Sequence, residues 1–583
     1  MIQNNMIRRI GNGIAAAVAI TALSSAGAAT ITVNSNSDTV ADDGQCTLRE
    51  AVIAANTNLA SGASANECVA GDPLPIVDSI AFAIPGTGVQ TIQPTQTMPI
   101  IIESVVIDGY TQPGASPNTL VIGDDAVLLI EIDGTLMPPG ADLFDLPNGG
   151  STIRGLVINR VLGTSIFVGL STFASDNNLV EGNFFSTDPS GTVFLGGTTT
   201  VIRMDGTGNT LGGTTPAARN VIGAGGGSKA GTVMLQGNAG VVQGNYIGVD
   251  ATGGAALQPG GATNGIEVGL AGAAVNMLIG GDSSGAGNVI YTSNISINIH
   301  GNGSSDETIQ GNFIGTDASG SAAIGVGNTG INAAEAPGIL IGGSTPGARN
   351  VVSGNNVGIS VSSGATDVVI QGNRIGTDLS GTRPLPNVGN GILVSAAGVG
   401  STIGGVNPGE SNTIAYNCGQ GIAFGGGNHW PILGNAVFAN GGLGISLSGN
   451  GAPVPNDDGD ADTGSNDLQN YPVITSAVIG SGTATISGTL NSTPASTFRI
   501  EFFASAACDR SGFGEGQTFI GTTDVTTDAD GNANFGPLSF PAADNSEITA
   551  TATDPDGNTS EFSQCAGPHD HLFTSGFEFS CSG

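Results

Sequence analysis

The chain repeats itself, and that limits what it can fold into more than any other feature. The segments EGNFFSTDPSG, QGNYIGVDATG, QGNFIGTDASG and QGNRIGTDLSG recur, with a degenerate LGNAVFANGG. They place Asn183, Asn245, Asn312, Asn373 and Asn435 at intervals of 62, 67, 61 and 62 residues. A second marker, LGGTTPAARNVI, IGGDSSGAGNVI, IGGSTPGARNVV and IGGVNPGESNTI, puts Gly213, Gly281, Gly343 and Gly405 at intervals of 68, 62 and 62. Two markers that keep one period describe a structural unit stacked on itself.

Within a unit, short Val/Ile runs such as VVIQGNRIG, GNGILVSAAG, STIGG and NTIAYN lie between Gly, Asn, Asp and Ser, as strands between turns do. Three turns of about 20 residues per unit then fit a parallel β-solenoid. A leucine-rich repeat would need a Leu-x-x-Leu-x-Leu-x-x-Asn frame, which is absent. With 97 Gly in 583 residues and only 10% charged residues, helical repeats are excluded. The calcium-binding nonapeptide G-G-x-G-x-D-x-U-x does not recur either. Val368 and Ile370 are expected to point into the coil, as is Ile375 after a bend at Gly372-Asn373. The recurring Asn is expected to pair its amide along the stacking axis.

Formal net charge is −34, with 47 acidic residues against 13 basic. A nucleic-acid partner, which needs clustered Lys and Arg, is therefore excluded, and an anionic membrane surface is unfavourable. Calcium and neutral glycans are easier partners for such a surface. Arg8 and Arg9, the apolar stretch Ile14 to Leu23 and Ala26-Gly27-Ala28 read as a secretory signal. That apolar run is shorter than the ~20 residues a membrane span needs, and no later segment qualifies, so the mature chain is expected to lack a transmembrane segment. Six cysteines in an exported chain predict disulfides. Cys46 with Cys68 and Cys508 with Cys565 are the expected pairs, leaving Cys418 and Cys581.

The segment CTLREAVIAAN, Cys46 to Asn56, resembles the CSLREA signature of secreted bacterial right-handed parallel β-helix proteins. The repeats N-x-I-G-T-D-x-S-G and I-G-G-x5-R-N-V-I, and IDGYTQPGASPNT from Ile107, are similar to segments of that family. Thr47 stands where Ser is common. The resemblance implies a right-handed helix of coils but no settled activity. Leu48 to Asn56 reads as a short helix with Leu48, Val52 and Ile53 on one face, suited to covering the open first coil.

After Gly449 the pattern changes. Asp457, Asp458, Asp460, Asp462, Asn466 and Asp467 fall in one stretch, and alternating hard oxygen ligands are what a Ca²⁺ loop provides. Thr463 and Gln469 depart from the EF-hand pattern, and a solvated acidic linker is the alternative. From Tyr471 to Cys565, alternating segments (SAVIGSGTATISGTL, TFRIEFFAS, SEITATATD) separated by Gly/Asp turns read as an immunoglobulin-like β-sandwich.

The expected organisation is a signal peptide (1–28), a cap with the first coils (29–120), a parallel β-helix (121–450), an Asp-rich linker or calcium loop (451–470), a sandwich (471–566) and a tail (567–583).

Catalytic constellations are missing. Gly-His-Gly and Arg-x-Lys, expected of a polygalacturonase, are absent, and basic groups for a lyase are few. The recurring Asp188, Asp250, Asp317 and Asp378, placed three coils or roughly 14 Å apart, are too distant for a glycosidase pair and suit turn formation with the following Gly. His300 and His429 read as structural residues, and His569-x-His571 as a weak two-ligand set. Trp430 is the sole Trp, so aromatic sugar platforms are thin. No catalytic residue is assigned. The expectation is an all-β, secreted or cell-surface, non-catalytic β-helix protein, adhesive or structural or glycan-contacting, with an extracellular polysaccharide or cell-surface component as partner. The alternative is a polysaccharide lyase or glycoside hydrolase.

Overall fold

The computed structural model describes residues 28–62, 67–169, 175–197, 200–225, 231–258, 262–301, 303–396, 398–449 and 451–567. The signal segment, Lys229 and the tail with His569, His571 and Cys581 lie outside them.

Three long parallel sheets run side by side along one axis. Sheet A begins at Thr30–Val33 and ends at Ile432–Leu433, sheet B runs from Gln90–Ile92 to Ala436–Phe438, and sheet C from Phe144–Leu146 to Ile445–Ser446. The chain visits A, B and C in turn and returns to A beside its previous strand. Parallel crossovers within a sheet wind right-handed, and the molecule is a right-handed parallel β-helix. Inward positions stack in rows: Val242, Ile279, Ile309, Ile341, Ile370 and Ile403 are successive partners on sheet A, all buried. Val368, Ile370 and Ile375 are buried as expected.

The number of coils per unit differs from the expectation. On sheet A, Leu179 pairs with Thr210 and Thr210 with Val241, so one coil takes 31 residues and the repeated unit contains two coils rather than three. Each coil needs three strands, some only two residues long, and the D-x-S-G and Pro-x-Ala segments are insertions at the corners, so apolar runs overcount coils.

This count explains the two markers. Both place an Asn at the bend between sheets A and B, in alternate coils. Asn183, Asn220, Asn245, Asn288, Asn312, Asn350, Asn373, Asn412 and Asn435 form one buried ladder, each Nδ2 donating to Oδ1 of the next. The same Oδ1 accepts the backbone N–H of the preceding Asn, as Asn312 does from Asn288 at 3.1 Å. Amides also donate to backbone carbonyls, so a corner whose peptide groups point inward is satisfied without water. The recurring Asn therefore do not touch one another; the second marker's Asn stands between each two. A second ladder, Asn355, Asn387, Asn417 and Asn440, follows the bend leading to sheet C.

The two ends are closed differently. At the start, the helix Leu48–Thr57 lays Leu48, Ala51, Val52, Ala54 and Ala55 on the core of the first coils. Ile53, expected on that face, is only half-buried because the contact centres on the small Ala residues. Thr47 caps the helix, and Glu50 completes a capping box. Arg49 holds Asp38 through two nitrogens and donates to the carbonyls of Gln96 and Thr97. Cys46 is joined to Cys68.

At the other end stands a β-sandwich of two antiparallel sheets, Val473–Gly480, Thr483–Asn491 and Asn532–Pro541 against Thr518–Thr526, Thr497–Ser505 and Glu547–Thr553. Its core includes Ile486, Phe498, Ile500, Phe502, Phe535 and Ile548, and Cys508 is joined to Cys565. Cys418 is also disulfide-bonded. The sandwich presents acceptors to the last coil's exposed edge. Thr559 takes the N–H of Ile432, Glu501 that of Gly434, and the Gly516 carbonyl that of Val437. Glu515 takes the backbone and side-chain N–H of Asn440, ending the second ladder. Glu561 takes those of Leu447 and Val454. Among the described residues no helix is long and apolar enough to cross a membrane.

Candidate functional site

Residues between the inward rows of sheet C project from the coil. Arg203, Met234, Glu267, Asn298, Asn332, Ser360 and Leu393 are successive partners in one outward row, at one residue per coil. Ala334, Ser362 and Ser395 continue a second row beside it. Coils stack about 4.8 Å apart, so the rows form a nearly flat strip of amides and hydroxyls. Asn332, Ser360, Ser362 and Ser395 are half-exposed, whereas Glu267 and Asn298 are buried.

Glu267 is the centre of this strip. Its carboxylate accepts from Nδ2 of Asn264 and from Nδ2 of Asn298, 3.0 Å from Oε2, and Nε2 of His300 lies 2.5 Å from the same oxygen. Gly231 makes the room: a Cβ there would lie 2.4 Å from Cγ of Glu267. His300 keeps about a quarter of its side chain exposed (28%) while Glu267 keeps none (0%). A buried carboxylate orienting a half-exposed imidazole is an arrangement that can hold a proton at one nitrogen of the ring. Asn332 donates to Asn298 at 2.8 Å, which ties the pair to the exposed part of the strip. At the other end Arg203 lies 4.9 Å over the Phe167 ring and is paired to Asp205 at 2.7 Å.

The expected calcium residues separate into two groups. Asp457, Asp460 and Asp462 each bring a carboxylate oxygen to within 4.8 Å of the others. Asp460 is pushed up to about 6, first by burial and then by Asp457 and Asp462, against the hydrogen bonds of Ser492 and the Asn470 amide. Asp462 is raised by burial and by Asp457, and its buried Oδ1 has no hydrogen-bond partner. Asp458 is exposed and outside the group. Asn466 and Asp467 are not with it either. Asn466 accepts from the Trp430 amide and donates to the carbonyls of Trp430 and Thr559. Asp467 accepts from Asn428 and Asn558. Sequence proximity put them in the loop; docking of the sandwich against the last coil takes them out of it.

The recurring Asp residues sit in their own turns. Asp188, Asp250, Asp317 and Asp378 each accept from amides four and five residues on, with Gly191, Gly253, Gly320 and Gly381 at positive φ. With two coils per unit they stand roughly 10 Å apart along the axis rather than 14, at the upper edge of the separation an inverting glycosidase uses, and it is their engagement by their own turns that speaks against a catalytic pair. His429 donates its amide to Asn558 at the sandwich contact. Trp430 is fully buried, edge-on to Phe424, and offers sugar no platform.

Glu267 and Asn298 were not singled out from the sequence. The signal was present: N-G-I-E-V, T-G-I-N-A, V-G-I-S-V, N-G-I-L-V and Q-G-I-A-F align as the sheet C strands, and the variable residue after Ile is the outward one. A charge there stands out only once that third repeat is aligned.

No family model matches the chain, and no curated protein does. Among solved structures, a mutant tailspike protein of E. coli bacteriophage HK620 in complex with a pentasaccharide is similar over 85% of this chain and 86% of that one, at 12% identity and a TM-score of 0.19.

Proposed function

We propose that this is an exported, CSLREA-type β-helix protein with an immunoglobulin-like C-terminal sandwich, whose sheet C holds an extended neutral stretch of extracellular polysaccharide without cleaving it. The observation that carries this reading is the strip of half-exposed Asn332, Ser360, Ser362 and Ser395 continuing from the Glu267–His300 pair. Neutral hydrogen-bonding groups at regular steps suit sugar hydroxyls along an extended chain. The disulfides Cys46–Cys68 and Cys508–Cys565 support an oxidising, extracellular location. The recurring Asp residues, held in turns, support a scaffold over a hydrolase.

Retention of the protein on a panel of insoluble neutral and acidic polysaccharides tests this, alongside release of reducing ends and unsaturated products. Retention on a neutral polymer is expected, weakened about tenfold in an Asn332→Ala, Ser360→Ala double variant, with no product released. The Glu267–His300 pair favours the second reading, a lyase or hydrolase. Turnover lost in both Glu267→Gln and His300→Ala would replace the scaffold by the enzyme.

We also propose that Asp457, Asp460 and Asp462 bind Ca²⁺, since three crowded carboxylates, two of them held above their usual range, gain from a hard cation. Calcium titration by calorimetry should show one site that Asp460→Asn removes. Absence of heat in the wild type would leave the segment a linker.

A further inference from the structure

The described chain contains few arginines, and most are committed. Arg49, Arg154, Arg160, Arg203 and Arg499 are paired to carboxylates. Arg219, from the first R-N-V marker, does something different. Its Nε donates to the carbonyl of Gly244, its guanidinium lies 4.4 Å over the Tyr246 ring, and its outer nitrogens donate to the carbonyls of Leu120, Val121 and Gly123. It clamps three oxygens of a segment laid across the outside of sheet B.

Arg349 occupies the same place in a later unit. Its Nε donates to the carbonyl of Gly372 at 2.9 Å, repeating the anchor of Arg219. Among the described residues no segment accepts from its outer nitrogens, and no carboxylate pairs with it. On the neighbouring strand, the position of Tyr246 is taken by Arg374, which lies beneath Gly381 of the D-x-S-G loop as Tyr246 lies beneath Gly253. Arg374 donates from Nη1 to Thr413, and its buried Nε has no partner. Burial first, then Arg349, presses against its charge, while Asp378 acts the other way. The carboxylate of Asp378 is occupied by Ser380 and by the amides of Thr382 and Arg383. Arg383, exposed on the same loop, also lacks an ion pair among the described residues. Thus a chain of net charge −34 brings two guanidinium groups, Arg349 and Arg374, close enough to act on one another's charge, with Arg383 exposed on the loop that covers Arg374.

We propose that Arg349, Arg374 and Arg383 form a binding site for an oxyanion carried on a polysaccharide, a uronate carboxylate or a sulfate ester. The carbonyl oxygens held by Arg219 show what the Arg349 geometry accepts, and the second arginine in place of Tyr246 adds the charge an anion needs. Planar guanidinium groups donate in pairs to such oxygens. The rest of the surface repels polyanions, so binding there is confined to this corner. The site is on sheet B and does not depend on the sheet C strip.

The test is calorimetric titration of the full chain with oligogalacturonate, sulfated dextran and neutral dextran at low and moderate salt. Saturable binding of a polyanion is expected, weakening with salt. Preference between the two polyanions identifies the carboxylate or the sulfate source. Arg383→Gln, on an exposed loop, and Arg349→Gln should each weaken binding about tenfold, and the double variant should abolish it. Circular dichroism melts of these variants should match the wild type, which separates loss of the site from loss of fold. Absence of polyanion binding by the wild type, or unchanged affinity in the folded double variant, would overturn the proposal. Retention on neutral polymers, measured on the same variants, should be unaffected, so failure here and failure of the sheet C reading are separable.

Discussion

The two ends of the β-helix solve one problem with opposite chemistry. A stack of parallel coils leaves at each end a row of unpaired backbone groups and an open core. The first end is covered by an apolar helix face, whose polar contacts (the capping box, Arg49 with Asp38 and the Gln96 and Thr97 carbonyls, and Asn56 with the Ile100 carbonyl and Ile102 amide) lie around it. The last end is met by side-chain carboxyls of Glu501, Glu515 and Glu561, which accept the edge N–H groups one by one. A helix face is insensitive to pH, whereas buried carboxyls are not. The difference is that between covering an edge and completing its hydrogen bonds.

The largest effect is expected from breaking the carboxyl cap. Glu515→Ala removes the acceptor for two buried donors of Asn440, each worth about 1–3 kcal/mol when left unsatisfied. Hydrogen exchange should rise across the last coil, Ile432 to Leu447, and limited proteolysis should release the sandwich. Glu515→Gln keeps a carbonyl acceptor and should cost less than about 1 kcal/mol at pH 6. If the alanine variant protects these amides as the wild type does, the sandwich docks by apolar contact alone.

The next effect is a pH dependence that is steepest at that end. Burial pushes Glu515 up to about 8 and Glu561 up to about 7, so the folded state holds their protons more tightly than the unfolded chain does. Stability from these groups is fully present below their unfolded value near 4.5 and is lost as pH rises through 7 and then 8. Each unit of displacement corresponds to about 1.4 kcal/mol. Exchange rates of the last coil should therefore increase between pH 6 and 8.5, after correction for intrinsic exchange, and more steeply than those of the first coils, where burial raises Asp124 and Asp145 only to about 6. Glu515→Gln should flatten most of the slope. A last coil that becomes better protected as pH rises would contradict the assignment.

What the residue pattern revealed follows the same division. The coil stack was readable because its contacts repeat: Val368, Ile370 and Ile375 follow from local alternation, and the Asn from exact recurrence. The coil count was not, because two-residue strands such as Arg374–Ile375 are hidden beside corner loops. That Asn220, Asn288, Asn350 and Asn412 share the ladder of the first marker depends on where the chain stacks. Glu515 and Glu561 were invisible, since their partners lie 75 and 114 residues away and each resembles any loop glutamate. The residues expected to hold calcium show the converse: Asn466 and Asp467 are near Asp462 in sequence but sit at the sandwich contact.

The smallest effect expected is at the first end. Thr47 accepts the Glu50 amide at 3.2 Å, and the Glu50 carboxylate returns to the Thr47 amide at 3.0 Å. Serine presents the same hydroxyl, so Thr47→Ser should change stability by less than about 0.5 kcal/mol, and Thr47→Ala should cost about 1 kcal/mol. The loss is limited because Leu48, Ala51, Val52 and Ala55 still cover the core when the cap is gone. Urea midpoints followed by exchange in the strands Thr30–Val33 and Asp78–Phe82 would measure it, and neither variant should acquire a pH slope between 6 and 8.5. A loss in Thr47→Ala as large as that in Glu515→Ala would mean that both ends rest on completed hydrogen bonds, and the contrast between them would vanish.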